Sequence, residues 1–310
     1  MVHVKKISRV FRKIPAIYLT LVAAIIINGL MNPRMFTERG INNLLLQVMP
    51  MVLAAMAQTS VMIVGELDIS IGAVVGLSAV ILAVTMEPLG WLSVLLVMLA
   101  VVVIGVATGF VVAYFNISGI VVTLASSMIF SGLALLILPV PGGLITTGYS
   151  KIFTGVSLSI PNTLFMLIFL LLIWEYIKKC TMGINIYAAG GNYYSAFATG
   201  IPVKKAKVLA FVICAVLSGL SGMVLAAKTM SGDANIAISY SITSIAGAVL
   251  GGVSFAGGIG HMARAAAGVA VISILVNILF FLQVESFWQY AVQGVILLAA
   301  VCMSQLNRKI

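Results

Sequence analysis

The stretch GINIYAAGGNYYSAFATGIP, residues 183–202, is a long polar interruption between two sets of apolar runs. Gly190-Gly191 is expected to break any preceding helix, Asn192 is a good N-cap, and Gly200 followed by Pro202 is a stop signal. Between them the spacing predicts one short helix, Tyr193 to Thr199. Seven residues span only about 10 Å at ~1.5 Å per residue, too little to cross a bilayer. Tyr193 and Phe197 lie four apart and share a face, with Ser195 and Thr199 on another side. Such a helix suits a groove on a partner.

The rest of the chain sets the class. Its 310 residues are 62% hydrophobic and 8% charged, with a mean hydropathy of +1.23. A soluble domain carries about a quarter charged residues, so an integral membrane protein is expected. The fold expected is all-α and polytopic, with about ten transmembrane helices of ~20 residues. Residues 1–310 then form a single transmembrane domain in contact with lipid. The net charge of +10 does not point to nucleic acid, because the cations sit at the ends of apolar runs and topology explains them. Cys180, Cys214 and Cys302 have no metal-ligand spacing and read as buried thiols. The basic tail 1–13, ahead of Ile14–Met31, resembles a signal peptide without a small-residue cleavage site, and an uncleaved first span is expected.

The apolar runs are Ile14–Met31, Leu44–Val64, Ile69–Thr85, Trp91–Phe115, Ile120–Val140, Pro161–Ile177, Val208–Ala227, Ile236–Phe255, Ala265–Val284 and Phe287–Met303. Alternating them from a cytoplasmic N-terminus puts both termini in the cytoplasm. Thirteen of the seventeen cations then fall inside, and only Arg34, Arg39, Lys151 and Lys228 lie outside, in agreement with the positive-inside rule. The segment 178–207 is cytoplasmic in this scheme, and so is its partner. Pro139–Ile160 is expected to be an irregular external loop, either a gate or a plain connection. Internal repetition is faint, with about five spans on each side of the interruption.

The most unusual apolar-run break is Gly65-Glu66-Leu67-Asp68-Ile69-Ser70-Ile71-Gly72. A charge at the bilayer centre costs ~2.5–3.5 kcal/mol, so both carboxylates should face water, a partner side chain or a helix N-terminus. Two readings stand. Glu66, Asp68 and Ser70 line a substrate path, or the segment is a cytoplasmic turn with Asp68 capping the span that begins at Ile69. Asn277, in the ninth run, meets either a polar substrate or a neighbouring helix. Gly247-xxx-Gly251, Ser218-Gly219 and Ser221-Gly222 read as helix-packing surfaces. Trp91, Trp174 and Trp288 lie near span ends, where aromatic belts form. His3 and His261 are the histidines, and neither has an evident partner in sequence. Neither catalytic residues nor a metal site is expected, nor a phosphate loop, so ATP would have to be handled by another subunit.

Four stretches together resemble the ribose-type sugar permeases of ABC importers, in the branched-chain amino acid/ribose-type permease superfamily. They are Gly65 to Gly72, Thr123-Leu124-Ala125, Ala189-Gly190-Gly191-Asn192 through Gly200-Ile201, and Leu250-Gly251-Gly252-Val253-Ser254-Phe255-Ala256-Gly257-Gly258. Their order matches that of the family, and the resemblance covers nearly the whole chain. It implies that Gly190, Gly191, Asn192, Tyr193, Ala196, Phe197, Gly200 and Ile201 belong to a coupling element that docks on an ATPase. It also implies a second permease copy or related permease, ABC ATPase subunits that carry the ATP and magnesium, and an extracytoplasmic solute-binding protein. The cofactor then lies on the partner and none on this chain. The location implied is the bacterial cytoplasmic (inner) membrane. Glu66 stands where the family's G-G-I-D-L-S has its second glycine, Ser195-Ala196 where Ala-Ala is usual, and Ile259 within the usual G-G-R-G. A competing function is a secondary transporter that couples protons or cations through Glu66 or Asp68.

Overall fold

Inside a bilayer no water bonds the backbone, so long apolar runs close their hydrogen bonds internally as helices. The computed structural model describes residues 15–157, 160–285, 287–289, 291–295 and 298. The first half contains α1 (Ala16–Met31), α2 (Glu38–Ile63), α3 (Ile71–Leu89), α4 (Leu92–Phe115) and α5 (Gly119–Ile137). A connection holds α6 (Thr147–Thr154) and a hairpin of β1 (Val156–Ser157) with β2 (Ile160–Pro161). There follow α7 (Asn162–Lys179), α8 (Thr181–Gly191), α9 (Tyr193–Ala198), α10 (Val203–Thr229), α11 (Tyr240–Leu250) and α12 (Met262–Phe281).

Among the described residues six helices are long and apolar enough to cross a membrane: α2, α3, α4, α5, α10 and α12. The chain is therefore an all-α polytopic membrane protein. The first expected span, α1, has 16 residues, and α7 has 18 but ends in Glu175, Lys178 and Lys179. Residues 287–289 and 291–295 are helical; most of the remainder of the tenth expected span, and the tail 1–13, lie outside the described residues.

Two expectations are corrected. Ile236–Phe255 is not one continuous helix, since residues 230–239 are non-helical and α11 is only 11 residues long. Asp233 Oδ1 accepts the Asn235 amide at 2.8 Å, the local side-chain bond that competes with helix. The Pro139–Ile160 loop is also more ordered than its prolines and glycines imply. Ser150 Oγ in α6 donates to the Ala227 carbonyl at 2.7 Å, and Gly142 exchanges two backbone bonds with Gly232.

The centre of the bundle is an antiparallel pair, α2 and α10. Ser60 Oγ of α2 donates to the Ala210 carbonyl at 3.0 Å, and Ser221 Oγ of α10 donates to the Pro50 carbonyl at 2.6 Å. The spanning window of α2 is 78% buried, against 11% for α5, which places α5 on the outside. Each central helix is followed by a non-helical segment and a shorter helix: 64–70 with α3, and 230–239 with α11. These units run past each other in opposite directions, Gly72 against Ala237 and Gly76 against Ala234. The faint repetition of the sequence is thus an inverted correspondence of two halves, an arrangement known among transporters.

Small residues set the helix spacing. A Cβ on Gly105 of α4 would lie 2.7 Å from the Val212 Cα, and one on Gly109 would lie 2.9 Å from the Val208 Cα. Gly247 packs the same way on Val269 of α12. The three tryptophans divide, with Trp174 buried and Trp91 and Trp288 exposed. Gly105→Val should force α4 and α10 apart and cost about 1–3 kcal/mol. Gly132→Ala in α5, where a Cβ meets open space, should leave stability unchanged; thermal midpoints in detergent compare the two.

Candidate functional site

The short helix predicted from sequence is α9, six residues long and one shorter at its end than expected. Asn192 caps it, its Oδ1 accepting the Ser195 amide at 2.9 Å. At its end Gly200 has φ +80, a left-handed value that glycine adopts without the Cβ penalty. Ala196 is buried, whereas Tyr193 and Phe197 point out with their rings parallel and 6.5 Å apart. Tyr194 is exposed beside them.

Gly190-Gly191 does not break the preceding helix, contrary to expectation, because α8 runs through both residues. Their job is close approach. A Cβ on Gly190 would collide with the Ile63 carbonyl at the end of α2, and that carbonyl accepts the Gly258 amide at 2.8 Å. Gly257 in turn lies against the Gly190 carbonyl and Gly65. Tyr187 Oη donates to the Gly260 carbonyl at 2.7 Å, and burial pushes its pKa up to about 12. The end of α2, the end of α8 and the loop 251–261 therefore meet backbone to backbone, and α9 follows α8 directly through Asn192.

His261, at the head of α12, does have a partner: Lys178 Nζ lies 3.5 Å from its Nδ1. Burial first, and then Arg264 and Lys178, lower its pKa. The neutral ring can accept from the ammonium.

The carboxylate segment sits at the same end of the bundle. Glu66 Oε1 pairs with Lys207 Nζ at 2.6 Å, and its Oε2 accepts the Gly119 amide at 2.8 Å at the start of α5. A carboxylate is favoured there by both the cation and the helix N-terminus. Asp68 is buried, and its Oδ1 accepts the Ser70 amide at 2.7 Å and the Ser70 hydroxyl at 2.6 Å. Cys214 Sγ lies 3.6 Å from its Oδ2. The helix after it begins at Ile71, two residues later than the expected Ile69. Ser241, in the first turn of α11, ties that helix to the entry of α3, donating to the Ile69 carbonyl at 2.6 Å and accepting the Gly72 amide at 3.0 Å. Thr123 accepts the Ile69 amide at 3.0 Å.

Asn277 is not part of this group. It lies at the opposite end, where its Nδ2 donates to Gln47 Oε1 of α2 at 3.0 Å. Sequence reasoning missed Lys207, whose available signal was its place in the cluster Lys204, Lys205 and Lys207 just after the short helix. It also missed a cavity of about 480 Å³ between α9 and α4, lined by Asn116, Tyr193, Tyr194, Lys204 and Lys207 among others. Lys204 Nζ sits 5.1 Å from the centre of the Tyr114 ring.

A family model described as branched-chain amino acid transport system / permease component matches residues 40–301. The ribose import permease protein of Bacillus subtilis is 31% identical, over 93% of this chain and 91% of its own length. The D-allose transport system permease protein of Escherichia coli is 30% identical, over 94% and 91%. The L-arabinose transport system permease protein of Escherichia coli is 31% identical, over 79% and 76%. No solved structure gives a significant match.

Lys207→Met should leave Glu66 with one partner in a poorly hydrated position and cost about 1–3 kcal/mol. Both groups keep some exposure, which places the loss below that of a fully buried pair. The double variant Lys207→Met, Glu66→Gln should recover most of it, as read from thermal midpoints in a double-mutant cycle.

Proposed function

The chain belongs to the family of branched-chain amino acid transport system permease components, and from that membership we propose that it is the transmembrane subunit of an ATP-driven importer. The solute is a sugar or similar small polar molecule, as the names of its ribose, allose and arabinose relatives indicate for those proteins. Residues 1–310 form one permease domain in the bacterial inner membrane, with both termini and the segment 178–207 in the cytoplasm. The outer side then holds Arg34, Arg39 and α6. A second permease copy or a related permease completes the pathway, and a solute-binding protein delivers from outside.

The observation that carries this reading is the seat of α9. An exposed aromatic pair stands on a helix whose support is fused, through Ile63, Gly190 and Gly258, to the ends of two membrane-crossing elements. In the proposed mechanism an ATPase subunit takes Tyr193 and Phe197 into an apolar groove, with Gly190, Gly191, Asn192, Ala196, Gly200 and Ile201 shaping the seat. ATP and magnesium stay on that partner. Closure of the ATPase moves α8, and the junction passes the displacement to α2 and to the loop leading into α12. Because these belong to opposite halves, they rock against each other and access alternates.

The secondary-transporter reading has less support. Glu66 is occupied by Lys207 and the head of α5, and Asp68 by Ser70, so neither carboxylate stands free for a transported cation in this conformation. As substrate-path candidates Glu66, Asp68 and Ser70 would act only after these bonds open.

Phe197→Asp places a charge in the groove that receives α9 and should reduce ATPase copurification at least about tenfold, with parallel loss of uptake. Unchanged capture and unchanged uptake would sink the docking assignment. In liposomes with the ATPase, uptake should follow ATP and resist a proton uncoupler; the reverse pattern would select the secondary transporter.

A further inference from the structure

At the end of the bundle remote from α9 lies a cavity of about 570 Å³, between α1, the turn Pro33–Phe36, the start of α2 and the end of α12. Its size falls in the ~300–1,000 Å³ range of small-molecule sites. Its lining is unusual for a chain that is 62% hydrophobic. Carboxamides reach it from three helices: Asn28 of α1, Asn43 and Gln47 of α2, and Asn277 of α12. Among the described residues no aspartate or glutamate is part of this lining.

A carboxamide offers two N–H donors beside a carbonyl acceptor, the complement of a hydroxyl, which both donates and accepts. Several of these groups have capacity left. The Asn277–Gln47 bond uses one donor and one acceptor, leaving the Asn277 carbonyl oxygen and the Gln47 amide nitrogen for a third party. Asn28 is the more pointed case. Its side chain is buried at 1% exposure and its Nδ2 rests on the weak acceptor Met35 Sδ at 3.0 Å, while its Oδ1 has no hydrogen-bond partner. A buried orphan acceptor calls for an O–H or N–H donor. That requirement separates the possible ligands. Arg34 and Arg39 at the same cavity would attract a carboxylate, yet an ionised carboxylate has no proton to give to Asn28, whereas a hydroxyl has one. Phe281 supplies an apolar ring face, the surface on which the C–H face of a sugar ring can lie.

We propose that this cavity binds a small, neutral, polyhydroxylated solute on the external side of the membrane. The assignment rests on the import reading above and names where the solute first meets this chain. Gln47 and Asn277 bond its hydroxyls, Asn28 Oδ1 accepts a further hydroxyl once that buried side chain turns toward the cavity, and Phe281 covers one face of the ring. Asn277 is thereby a solute-binding residue in a place separate from Glu66, Asp68 and Ser70.

The test is saturation-transfer NMR on the purified full-length chain in lipid nanodiscs, with D-ribose, L-arabinose, D-galactose, D-allose and the anionic D-galacturonate as probes. At least one neutral aldose should receive transfer, and Asn277→Leu and Gln47→Leu should each weaken its binding about tenfold through loss of hydroxyl partners. Neither residue is fully buried, and unchanged thermal midpoints verify that the variants fold. Phe197→Asp, at the other end, should bind the aldose normally. No transfer from any neutral aldose, undiminished transfer in both variants, or transfer to D-galacturonate alone would overturn the site. ATPase capture by the same preparation reports separately on the import reading: capture retained without aldose binding rejects this cavity only, and capture lost with aldose binding intact rejects the docking role only.

Discussion

A bilayer interior offers no water to an open backbone group, and this chain places two non-helical segments, 64–70 and 230–239, against the ends of its own membrane-crossing helices. The structure depends on how those groups are bonded. Ser241 ties the Ile69 carbonyl to the Gly72 amide, Thr123 takes the Ile69 amide, and Asp68 takes the Ser70 amide. The segment 64–70 is thus tied to α5 and α11, and 230–239 is tied to the chain before α6 by the two backbone bonds between Gly232 and Gly142. Serine, threonine and aspartate do here what a continuing helix would otherwise do, which is why polar residues are concentrated at these two places.

The same economy shapes the end that carries α9. The last carbonyl of α2 would be an orphan there, and Gly258 bonds it while Gly190 leaves it room. A junction made of backbone has little rotamer freedom to absorb a displacement, unlike one made of long side chains. This stiffness is what the proposed coupling needs, since a soft seat would dissipate motion of the partner before it reached α2. The Glu66–Lys207 pair adds a second tie between the start of α10 and the head of α5. At the opposite end the turn Pro33–Phe36 stands in the position that α9 holds in the other half, and its cavity sets several carboxamides beside Arg34 and Arg39, where the α9 cavity has Lys204 and Lys207 with Asn116. The two halves share a framework and differ in the chemistry at their tips.

Several elements were plain from residues alone. The helix at Tyr193, its Asn192 cap and its shared aromatic face follow from spacing and turn chemistry, because these are local effects. The long apolar runs were legible as helices for the same reason. Ile236–Phe255 misled because its hydropathy is that of a span, while Asp233 and Asn235 just before it start a turn. Gly190-Gly191 misled in the other direction: a glycine pair reads as a helix break, but here it permits contact with a carbonyl 127 residues away in sequence. Trp174 sits near a span end, where an aromatic belt is expected, and is buried instead.

Composition and periodicity by themselves determined that this is an all-helical membrane protein, that a short amphipathic helix interrupts it, and that two carboxylates sit where lipid cannot accept them. Those conclusions need only hydropathy, propensity and the cost of charge in hydrocarbon, all properties of short windows of chain. Tertiary structure decided which groups answer those costs. Nothing local pairs Glu66 with Lys207, Ser241 with Ile69, or Asn277 with Gln47, since each partner arrives from a distant segment: Lys207 on α10, Ser241 on α11 and Asn277 on α12. Hence Glu66 and Asn277, which the sequence offers as members of one set of candidates, stand at opposite ends of the bundle.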